Sequence, residues 1–393
     1  MIIRKIKKES LLKELKLIGV DERAFDIFEG KSNLILLKLH NINAKGANIL
    51  KQEFISAGGD VAVHQDVASW KISSTDCLLI GTQHTYKIVL KKLAFEPFFG
   101  LDKIRELVQK TIASKQLPVY NIRNKIFDFE KEKFIMGILN ITPDSFSDGG
   151  LYNSIEKALK HTQTMIQEGA DIIDIGGEST RPGAEKITKE EEKKRTIPII
   201  KEIRKNFPDI PISIDTYKAS VAEEALKNGA DIVNDISGLQ FDEKMQDIAR
   251  EFDAPVIIMH IKGTPKNMQQ DPHYEDIMKE LLEYFDKRIN ALTSSGIKKI
   301  IIDPGIGFGK RLEDNLKIIK NIDEFSIFNL PVLLGVSRKS FIGSVLNKTV
   351  ENRLYGSTAA NAYVLLRGAN IIRVHDITPH KDLIKILKAI ENA

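Results

Sequence analysis

The sequence is almost without cysteine, since a single residue, Cys77, occurs in 393. A disulfide framework is therefore excluded, and the composition favours a reducing, cytoplasmic location. Cys77 lies within the apolar run DCLLIG. We expect it to be a small buried hydrophobic residue rather than a reactive thiol.

Long apolar runs and a strong charge of one sign are also missing. No stretch approaches the roughly 20 apolar residues of a membrane span, and the basic start MIIRKIKKES is not followed by the apolar segment of a signal peptide. The net charge of +4, from 58 basic and 54 acidic residues, does not indicate nucleic acid. We predict neither a membrane nor a nucleic-acid partner. Residues 1–130 hold 21 basic and 15 acidic side chains. This is a mild hint of an anionic partner, but a solvated surface is the better explanation.

Nucleotide, nucleophile and metal motifs are incomplete. DPGIGFGK departs from a phosphate-binding P-loop at Pro304 and Arg311, and from the dinucleotide fingerprint at Lys310. GVSRKS lacks the second glycine of a nucleophile elbow. The histidines lack the helical spacing of a zinc pair.

What the sequence does contain is a regular alternation that begins near Phe134. Eight short runs rich in β-branched residues lie at 134–140, 171–177, 211–216, 231–236, 255–260, 299–305, 332–337 and 371–376. Amphipathic segments with apolar residues at three- and four-residue spacing separate them. Two of these segments end in Gly-Ala-Asp, which is a helix-stop signal.

This alternation predicts an α/β fold. Nearly continuous apolar strands are buried on both faces, as in a parallel sheet. Eight strand–helix units in residues 131–393 match a (β/α)8 TIM barrel, which takes about 250 residues. A doubly wound open sheet is the alternative, although it would not need eight units.

Residues 1–130 predict a small α/β domain that precedes the barrel. Strands are expected at LILLKL and DCLLIG and helices at 44–58, 85–93 and 101–113, with a turn and short strand in GGDVAVHQ. Trp70 and His64 are expected to be partly buried structural residues. The polar stretch around Pro118 predicts the domain boundary. The role of this domain stays open between partner docking, bracing of the barrel and the remnant of another activity.

Polar residues follow the predicted strands at the end where TIM-barrel active sites lie. They are Asn140, Glu178 with Thr180 and Arg181, Asp215, Asn234 with Asp235, His260, Asp303, Ser337 with Arg338 and Lys339, and Arg373 with His375. Helix capping would explain some of these positions. It does not explain carboxylates that precede a Pro-Gly pair or a further loop, so we favour a site.

The residue types indicate the ligand. Asp215, Asp303 and Asn234 suit a flat heterocycle that presents an N–H and amino edge, because one carboxylate accepts two parallel hydrogen bonds. Arg373 and His375 suit an anion, in particular phosphate. We therefore expect a heterocycle deep in the barrel mouth and phosphate near its rim.

Two further features fit this arrangement. Asn140 offers one hard oxygen, which is consistent with Mg²⁺ held mainly by phosphate and water. The stretch DIGGESTRPGAEK, residues 174–186, brings glycines, hydroxyls and an arginine to the end of one strand. We predict that Gly176 and Gly177 allow this segment to swing over a bound diphosphate.

The motifs GILNITPDSFSDGG, DIGGESTRPGA, SIDTYK, NDISG, MHIKGTP, DPGIGFGK, SRKSFIG and IRVHD occur in this order over residues 133–393. The chain thereby resembles the dihydropteroate synthases. The resemblance implies a transferase of folate biosynthesis that joins 6-hydroxymethyl-7,8-dihydropterin diphosphate to p-aminobenzoate and releases pyrophosphate. It also implies a homodimer and a target of sulfonamides, which mimic aminobenzoate.

The same resemblance implies the site residues. The catalytic set is Asp215, Asp303, Lys339, Arg373 and His375. Substrate contacts are implied for Thr180, Arg181, Pro182, Asp215, Asn234, Met259, Asp303, Phe308, Lys339, Ser340, Arg373 and His375. Asn140 is the implied metal residue, with Mg²⁺ as cofactor. Among these, Asn140, Arg373 and His375 are assigned to the diphosphate and Thr180–Pro182 to the aminobenzoate pocket.

Two other functions compete with this one. Methyltransferases that use methyltetrahydrofolate share the pterin-binding barrel, but they have no use for the diphosphate motifs ESTRPGA and SRKS. A barrel that binds pterin without chemistry would not need Asn140, Arg373 and His375.

Overall fold

The computed structural model describes residues 3–4, 6–113, 116–141, 150–180 and 183–392. The chain divides into two compact units, Met1–Ser114 and Lys115–Ala393, and each has its own apolar core. The sequence placed this boundary at residue 130. The division falls earlier because residues 119–128 form a hairpin whose side chains belong to the core of the second unit. In the described part of the chain no helix could cross a membrane.

The first unit is a three-stranded antiparallel sheet with helices. Its strands are β1 (Leu34–Asn43), β2 (Asp60–Val63) and β3 (Ser74–Thr82), in the order β1–β3–β2. The helices are α1 (Leu11–Ile18), α2 (Phe25–Ser32), α3 (Ala44–Ser56), α4 (Gln83–Leu93) and α5 (Leu101–Ile112). The strands and the last three helices confirm the sequence prediction, whereas α1 and α2 were not predicted.

The core of this unit lies between the sheet, α3 and α4. Phe54 and Tyr86 meet edge to face with ring centroids 5.1 Å apart. Cys77 is buried beside them, as expected for a small apolar residue. Trp70, in contrast, is 59% exposed, and His64 is exposed as well. The expectation that both are partly buried was therefore wrong.

The second unit begins with a hairpin, β4 (Val119–Ile122) and β5 (Lys125–Asp128), and continues with eight parallel strands. These are β6 (Phe134–Asn140), β7 (Ile172–Gly176), β8 (Ile212–Asp215), β9 (Ile232–Asp235), β10 (Val256–Met259), β11 (Ile300–Asp303), β12 (Leu333–Leu334) and β13 (Ile371–Val374). Their order is β11–β10–β9–β8–β7–β6–β13–β12, and a bridge between Ile302 and Val332 joins the first to the last. The sheet is a closed (β/α)8 barrel, as predicted.

Helices connect the strands around the outside of the barrel. They are α6 (Gly150–Glu168), α7 (Lys189–Asn206), α8 (Ala219–Lys227), α9 (Met245–Glu251), α10 (Ile277–Ser294), α11 (Leu312–Lys320), α12 (Ser340–Leu346), α13 (Leu354–Leu366) and α14 (Ile377–Glu391). Gly169 after α6 and Gly229 near the end of α8 adopt φ of 100° and 111°. This left-handed backbone confirms the two predicted helix stops, because glycine adopts it without a Cβ clash.

Strand alternation divides the barrel side chains into two sets. Outward residues such as Ile173, Ile214 and Ile258 pack under the helices. Inward residues near the strand starts, among them Met136 and Ile232, form a separate apolar cluster inside the barrel. Layers of side chains fill the interior of TIM barrels. Here this cluster, which we call the floor cluster, fills the half of the interior near the strand starts.

The hairpin closes this floor from below. Phe127 and Phe129 are fully buried in the floor cluster. The Tyr120 hydroxyl lies 3.0 Å from both the backbone nitrogen and the backbone oxygen of Ile300, at the start of β11. Lys125 Nζ lies 2.5 Å from Asp171 Oδ1. The barrel interior is thus sealed at the amino-terminal end of the strands.

Candidate active site

Strand register aligns predicted site residues at the open end of the barrel. Asn140, Gly176, Asp215 and Asn234 are successive partners across β6, β7, β8 and β9. Registered residues of neighbouring parallel strands project to the same face, which here is the barrel interior. A Cβ on Gly176 would lie 3.7 Å from Asn140 Oδ1 and 3.6 Å from Asp215 Cβ. The glycine therefore leaves space between the amide and the carboxylate.

Arg373 crosses the interior from β13 to two carboxylates. Its Nε lies 2.6 Å from Asp174 Oδ2, and its Nη2 lies 2.9 Å from Asp215 Oδ2. Burial disfavours the charged guanidinium, but Asp174 and Asp215 outweigh this effect and raise the pKa of Arg373. Burial also raises the pKa of Asp215, against the opposing effect of Arg373. The predicted anion-binding arginine is thus held by two acids.

Asp174 is the principal site residue that sequence reasoning missed. Its side chain is fully buried, and Asn234 Nδ2 donates to its two oxygens at 3.4 and 3.2 Å. Because a carboxylate only accepts, Asn234 directs its amide nitrogen to Asp174 and leaves its oxygen as an acceptor for a ligand. Period-two alternation from Gly176 would have placed Asp174 inside the barrel.

Asp303 ends β11 in register with Met259, and the glycine loop that follows it folds back on the barrel. Asp303 Oδ1 accepts from Gly305 N at 2.8 Å, and burial raises the pKa of this acid. Gly305 has φ of 75°, and a Cβ there would lie 2.0 Å from the backbone oxygen of His260. A Cβ on Gly309 would likewise lie 2.5 Å from the backbone oxygen of Lys262. Gly305 and Gly309 are therefore explained by close backbone contact, without a nucleotide-binding role.

The buried side chain of Lys310 links this loop to His260. Its Nζ lies 3.0 Å from His260 Nδ1 and 3.1 Å from the backbone oxygens of His260 and Phe308. Burial lowers the pKa of Lys310 to about 7. Burial, with Lys310 next to it, lowers the pKa of His260 to about 2. His260 is therefore a neutral structural residue, although it directly follows the end of β10.

An apolar wall stands beside the charged groups. Met259 and Phe308 belong to a small cluster that also contains Tyr217. Lys339 Nζ lies 4.3 Å from the centroid of the Phe308 ring. Burial and the neighbouring Arg373 lower the pKa of Lys339 to about 8. Met259 and Phe308, which we call the apolar wall, can pack against the face of a flat ligand, and Lys339 places a cation beside it.

His375 and Ser340 lie nearer the rim. His375 Nδ1 is 3.0 Å from Ser337 Oγ, and burial with Arg373 lowers the pKa of this histidine to about 4. The imidazole is therefore neutral near pH 7, so it can offer a hydrogen bond to an anion but no charge. Ser340 is exposed at the first position of α12.

The segment after β7 is described only in part. Thr180 is partly buried, whereas the predicted contacts Arg181 and Pro182 lie outside the described residues. A Cβ on Gly177 would lie 2.7 Å from Thr196 Cγ2. Close packing against α7 therefore explains this glycine, and its role in loop movement stays a prediction.

The donor set near Asn140 fits a magnesium ion carried by a diphosphate. Asn140 supplies one amide oxygen next to the space that Gly176 leaves. Within the described ranges no group of three or more His, Cys, Asp or Glu could hold a metal by itself. Mg²⁺ commonly keeps several water ligands and takes one or two from the protein together with phosphate oxygens. Asn140 can occupy one such position.

Comparison with known proteins agrees with this geometry. The family model described as pterin binding enzyme matches residues 136–375. Dihydropteroate synthase of Synechocystis sp. is 44% identical over 276 residues, which cover 70% of this chain and 95% of that protein. The Escherichia coli (strain K12) enzyme is 46% identical over 261 residues, which cover 66% of this chain and 92% of that protein.

Solved structures give the same result. The Yersinia pestis dihydropteroate synthase, in complex with a sulfonamide drug, is 41% identical with a TM-score of 0.66, and covers 70% of this chain and 100% of its own. The Xanthomonas albilineans enzyme in complex with 7,8-dihydropteroate is 34% identical with a TM-score of 0.63, and the match covers 70% of this chain and 100% of that one.

The fold and the site define a pterin-binding barrel enzyme. Within that class the chain belongs to the dihydropteroate synthase family, the folate-pathway transferases that condense 6-hydroxymethyl-7,8-dihydropterin diphosphate with p-aminobenzoate. This assignment decides against the methyltransferase and non-catalytic alternatives. The family model lies entirely in the second unit.

Proposed function

We propose that the condensation takes place at the open end of the barrel, with the pterin on the buried acids and the diphosphate towards the rim. The observation that carries this assignment is the convergence of Asp174, Asp215 and Asp303 with Arg373 and Lys339 at the open end of the barrel. The acids suit the N–H and amino edge of the pterin, and the wall of Met259 and Phe308 suits its ring face.

The reaction is a displacement at the methylene carbon of the pterin. The aromatic amine forms the new C–N bond, the C–O bond to the diphosphate breaks, and pyrophosphate leaves with the electron pair. The attacking nitrogen then loses a proton to water, so no strong general base is required. As the C–O bond breaks, positive charge spreads over the pterin, where Asp174, Asp215 and Asp303 stabilise it.

The leaving diphosphate requires groups of the opposite sign. Arg373 and Lys339 provide cations, and neutral His375 provides a hydrogen-bond donor. Mg²⁺ bound to the diphosphate would neutralise part of the charge that develops on it, with Asn140 as a protein ligand. Thr180, Arg181, Pro182, Phe308 and Ser340 are proposed to surround the aminobenzoate.

A two-substrate assay tests this function directly. The full chain, incubated with the pterin diphosphate, p-aminobenzoate and Mg²⁺, should release one pyrophosphate for each 7,8-dihydropteroate formed. Omission of either substrate should abolish both products. A sulfonamide should inhibit competitively against aminobenzoate. Binding of the pterin diphosphate without pyrophosphate release would contradict the proposal.

We also propose that the enzyme is a homodimer. Helices α11, α12 and α13 pack on one another, and α12, α13 and the segment between them expose large apolar side chains. These are Val345, Leu346, Val350, Tyr355, Tyr363 and Leu366. Sedimentation equilibrium should give twice the chain mass, and Tyr355→Asp should shift the protein towards monomer. A cytoplasmic location stays a prediction.

A further inference from the structure

A buried cluster of charged residues lies beside the site. Lys218 Nζ contacts Glu178 Oε2 and lies 2.5 Å from Glu192 Oε2, and the Tyr217 hydroxyl donates to Glu178 Oε1 at 2.7 Å. The side chains of Lys218, Glu178 and Glu192 are only 16%, 6% and 1% exposed. We call these four residues the Lys218 cluster.

The cluster is costly for a protein to maintain. Two carboxylates share one ammonium group, and Glu192 Oε1 is buried with no hydrogen-bond partner among the described residues. Burial accordingly raises the pKa of Glu192. Apolar side chains of similar volume would often stabilise such a position at least as well. We therefore expect a functional reason for these charges in the parts of the chain that the four side chains contact.

The cluster holds both ends of the segment between β7 and α7. Glu178 is two residues beyond β7, and its Oε2 also accepts from Ile187 N at 3.4 Å, just before α7. Arg195 Nη1, in α7, donates to the backbone oxygen of Gly177 at 3.0 Å. Glu178 thus links the start of the segment to its end, and Arg195 adds a second tie between the start and α7.

The cluster also contacts the apolar wall of the site. Tyr217 lies two residues beyond the end of β8, and its ring packs in the cluster that contains Met259 and Phe308. The ring edge meets Phe241 at a centroid distance of 5.6 Å. One tyrosine therefore connects the wall, through its ring, with the β7–α7 segment, through its hydroxyl.

We propose that the Lys218 cluster is a positioning device that fixes the β7–α7 segment against the apolar wall and thereby sets the affinity for p-aminobenzoate. The inference rests on the proposed function, because the segment matters only if it borders the second substrate. Tyr217 and Lys218 act through the segment and take no part in bond formation. The pterin, seated on Asp174 and Asp215, does not depend on them.

The experiment separates the two substrates. Tyr217→Phe keeps the ring in the wall and removes the hydrogen bond to Glu178. We expect the KM for aminobenzoate to rise about 10- to 100-fold, the effect of one hydrogen bond to a charged group, with kcat and the Kd for the pterin diphosphate changed less than 2-fold. In Glu178→Gln, Lys218 loses one of its two carboxylate partners. This variant should also raise the KM for aminobenzoate.

Lys218→Met is the stronger variant, and Lys227→Met is its matched control. Lys227 is the last residue of α8, the helix that Lys218 directly precedes, and it pairs with Glu223 at 2.5 Å, but both side chains are exposed. The control should keep wild-type kinetics. Should Lys218→Met fail to fold, Tyr217→Phe decides the question by itself, since it removes a single atom.

Three outcomes are distinguishable. A selective rise in the aminobenzoate KM supports the proposal. Equal losses for both substrates, or a lower thermal midpoint with unchanged KM values, would show a merely structural cluster and overturn it. Wild-type protein that releases no pyrophosphate would instead refute the function on which the proposal depends.

Discussion

Arg373 Nε lies 2.6 Å from Asp174 Oδ2, and the same guanidinium reaches Asp215 with Nη2 at 2.9 Å. A single cation therefore joins two acids at the open end of the barrel. Under the proposed function, we expect a pterin that engages the carboxylates to release Arg373 for a neighbouring anion. The arrangement suits a ligand that carries a hydrogen-bond donor edge and a negative tail together.

Asp174→Asn should weaken both folding and pterin binding. It removes a buried partner of Arg373 and an acceptor of Asn234, so we expect the free energy of unfolding to fall by about 3 kcal/mol and the pterin Kd to rise more than 10-fold. Urea unfolding and titration calorimetry measure the two effects. Asp231→Asn is the control, because Asp231 pairs with Arg204 at 2.6 Å at the closed end of the barrel. An equal loss of pterin affinity in the control would contradict the assigned role of Asp174.

The charge of Lys339 should determine the alkaline side of the pH profile. The pKa of Lys339 is lowered to about 8 by burial and by Arg373, so the ammonium is present below that pH and is lost above it. We expect kcat/KM for the pterin diphosphate to decline above about pH 8. Lys339→Arg keeps the cation at higher pH and should remove this decline. An unchanged alkaline limb in that variant would show that another group titrates.

Lys310 should make stability depend on pH. The folded protein loses this proton near pH 7, whereas an unfolded lysine keeps it until about pH 10.4. Between these values the unfolded chain binds more protons, so a rise in pH favours the folded state. The unfolding free energy of the wild type should therefore rise with pH relative to Lys310→Met. Lys317→Met, at an exposed position of α11, is the control. Its unfolding free energy, measured by urea unfolding from pH 7 to 9, should change with pH as that of the wild type does.

The hairpin should be essential for the barrel. Phe127 is fully buried in the floor cluster, and its truncation to alanine should cost about 3–5 kcal/mol of unfolding free energy. A fragment of residues 115–393 should accordingly melt at a higher temperature than one of residues 131–393. Calorimetry of the two fragments compares them, and equal midpoints would place the domain boundary at residue 130 after all.

The sequence predicted the barrel because its strands and helices are marked by local patterns. Near-continuous apolar runs and Gly-Ala-Asp stops do not depend on the rest of the fold. The α2 helix and the hairpin lack such marks. Helix α1 does carry them, because its apolar residues recur at helical spacing and Gly19 ends it with φ of 80°, so a readable signal was overlooked there. Residues 119–128 contain many polar side chains, and only contact with the floor explains why Tyr120 and Phe127 are buried. Their assignment required the three-dimensional structure.

The site shows the same difference between local and long-range information. Motifs placed Asp215, Asn234 and Asp303 correctly on the strands that face the interior. They did not indicate that Arg373 binds Asp174, 199 residues away in sequence. Nor did they indicate that burial would leave His375 neutral. Pairings and pKa values of this kind arise only when distant strands come together.

Tyr120, Phe127 and Phe129 are buried beneath the strands and close the amino-terminal end of the barrel. Because that end is packed, we expect a molecule that binds at Asp174 to enter and leave at the carboxyl ends of the strands. If the pterin binds innermost, as proposed, it should bind before the aminobenzoate and leave after it.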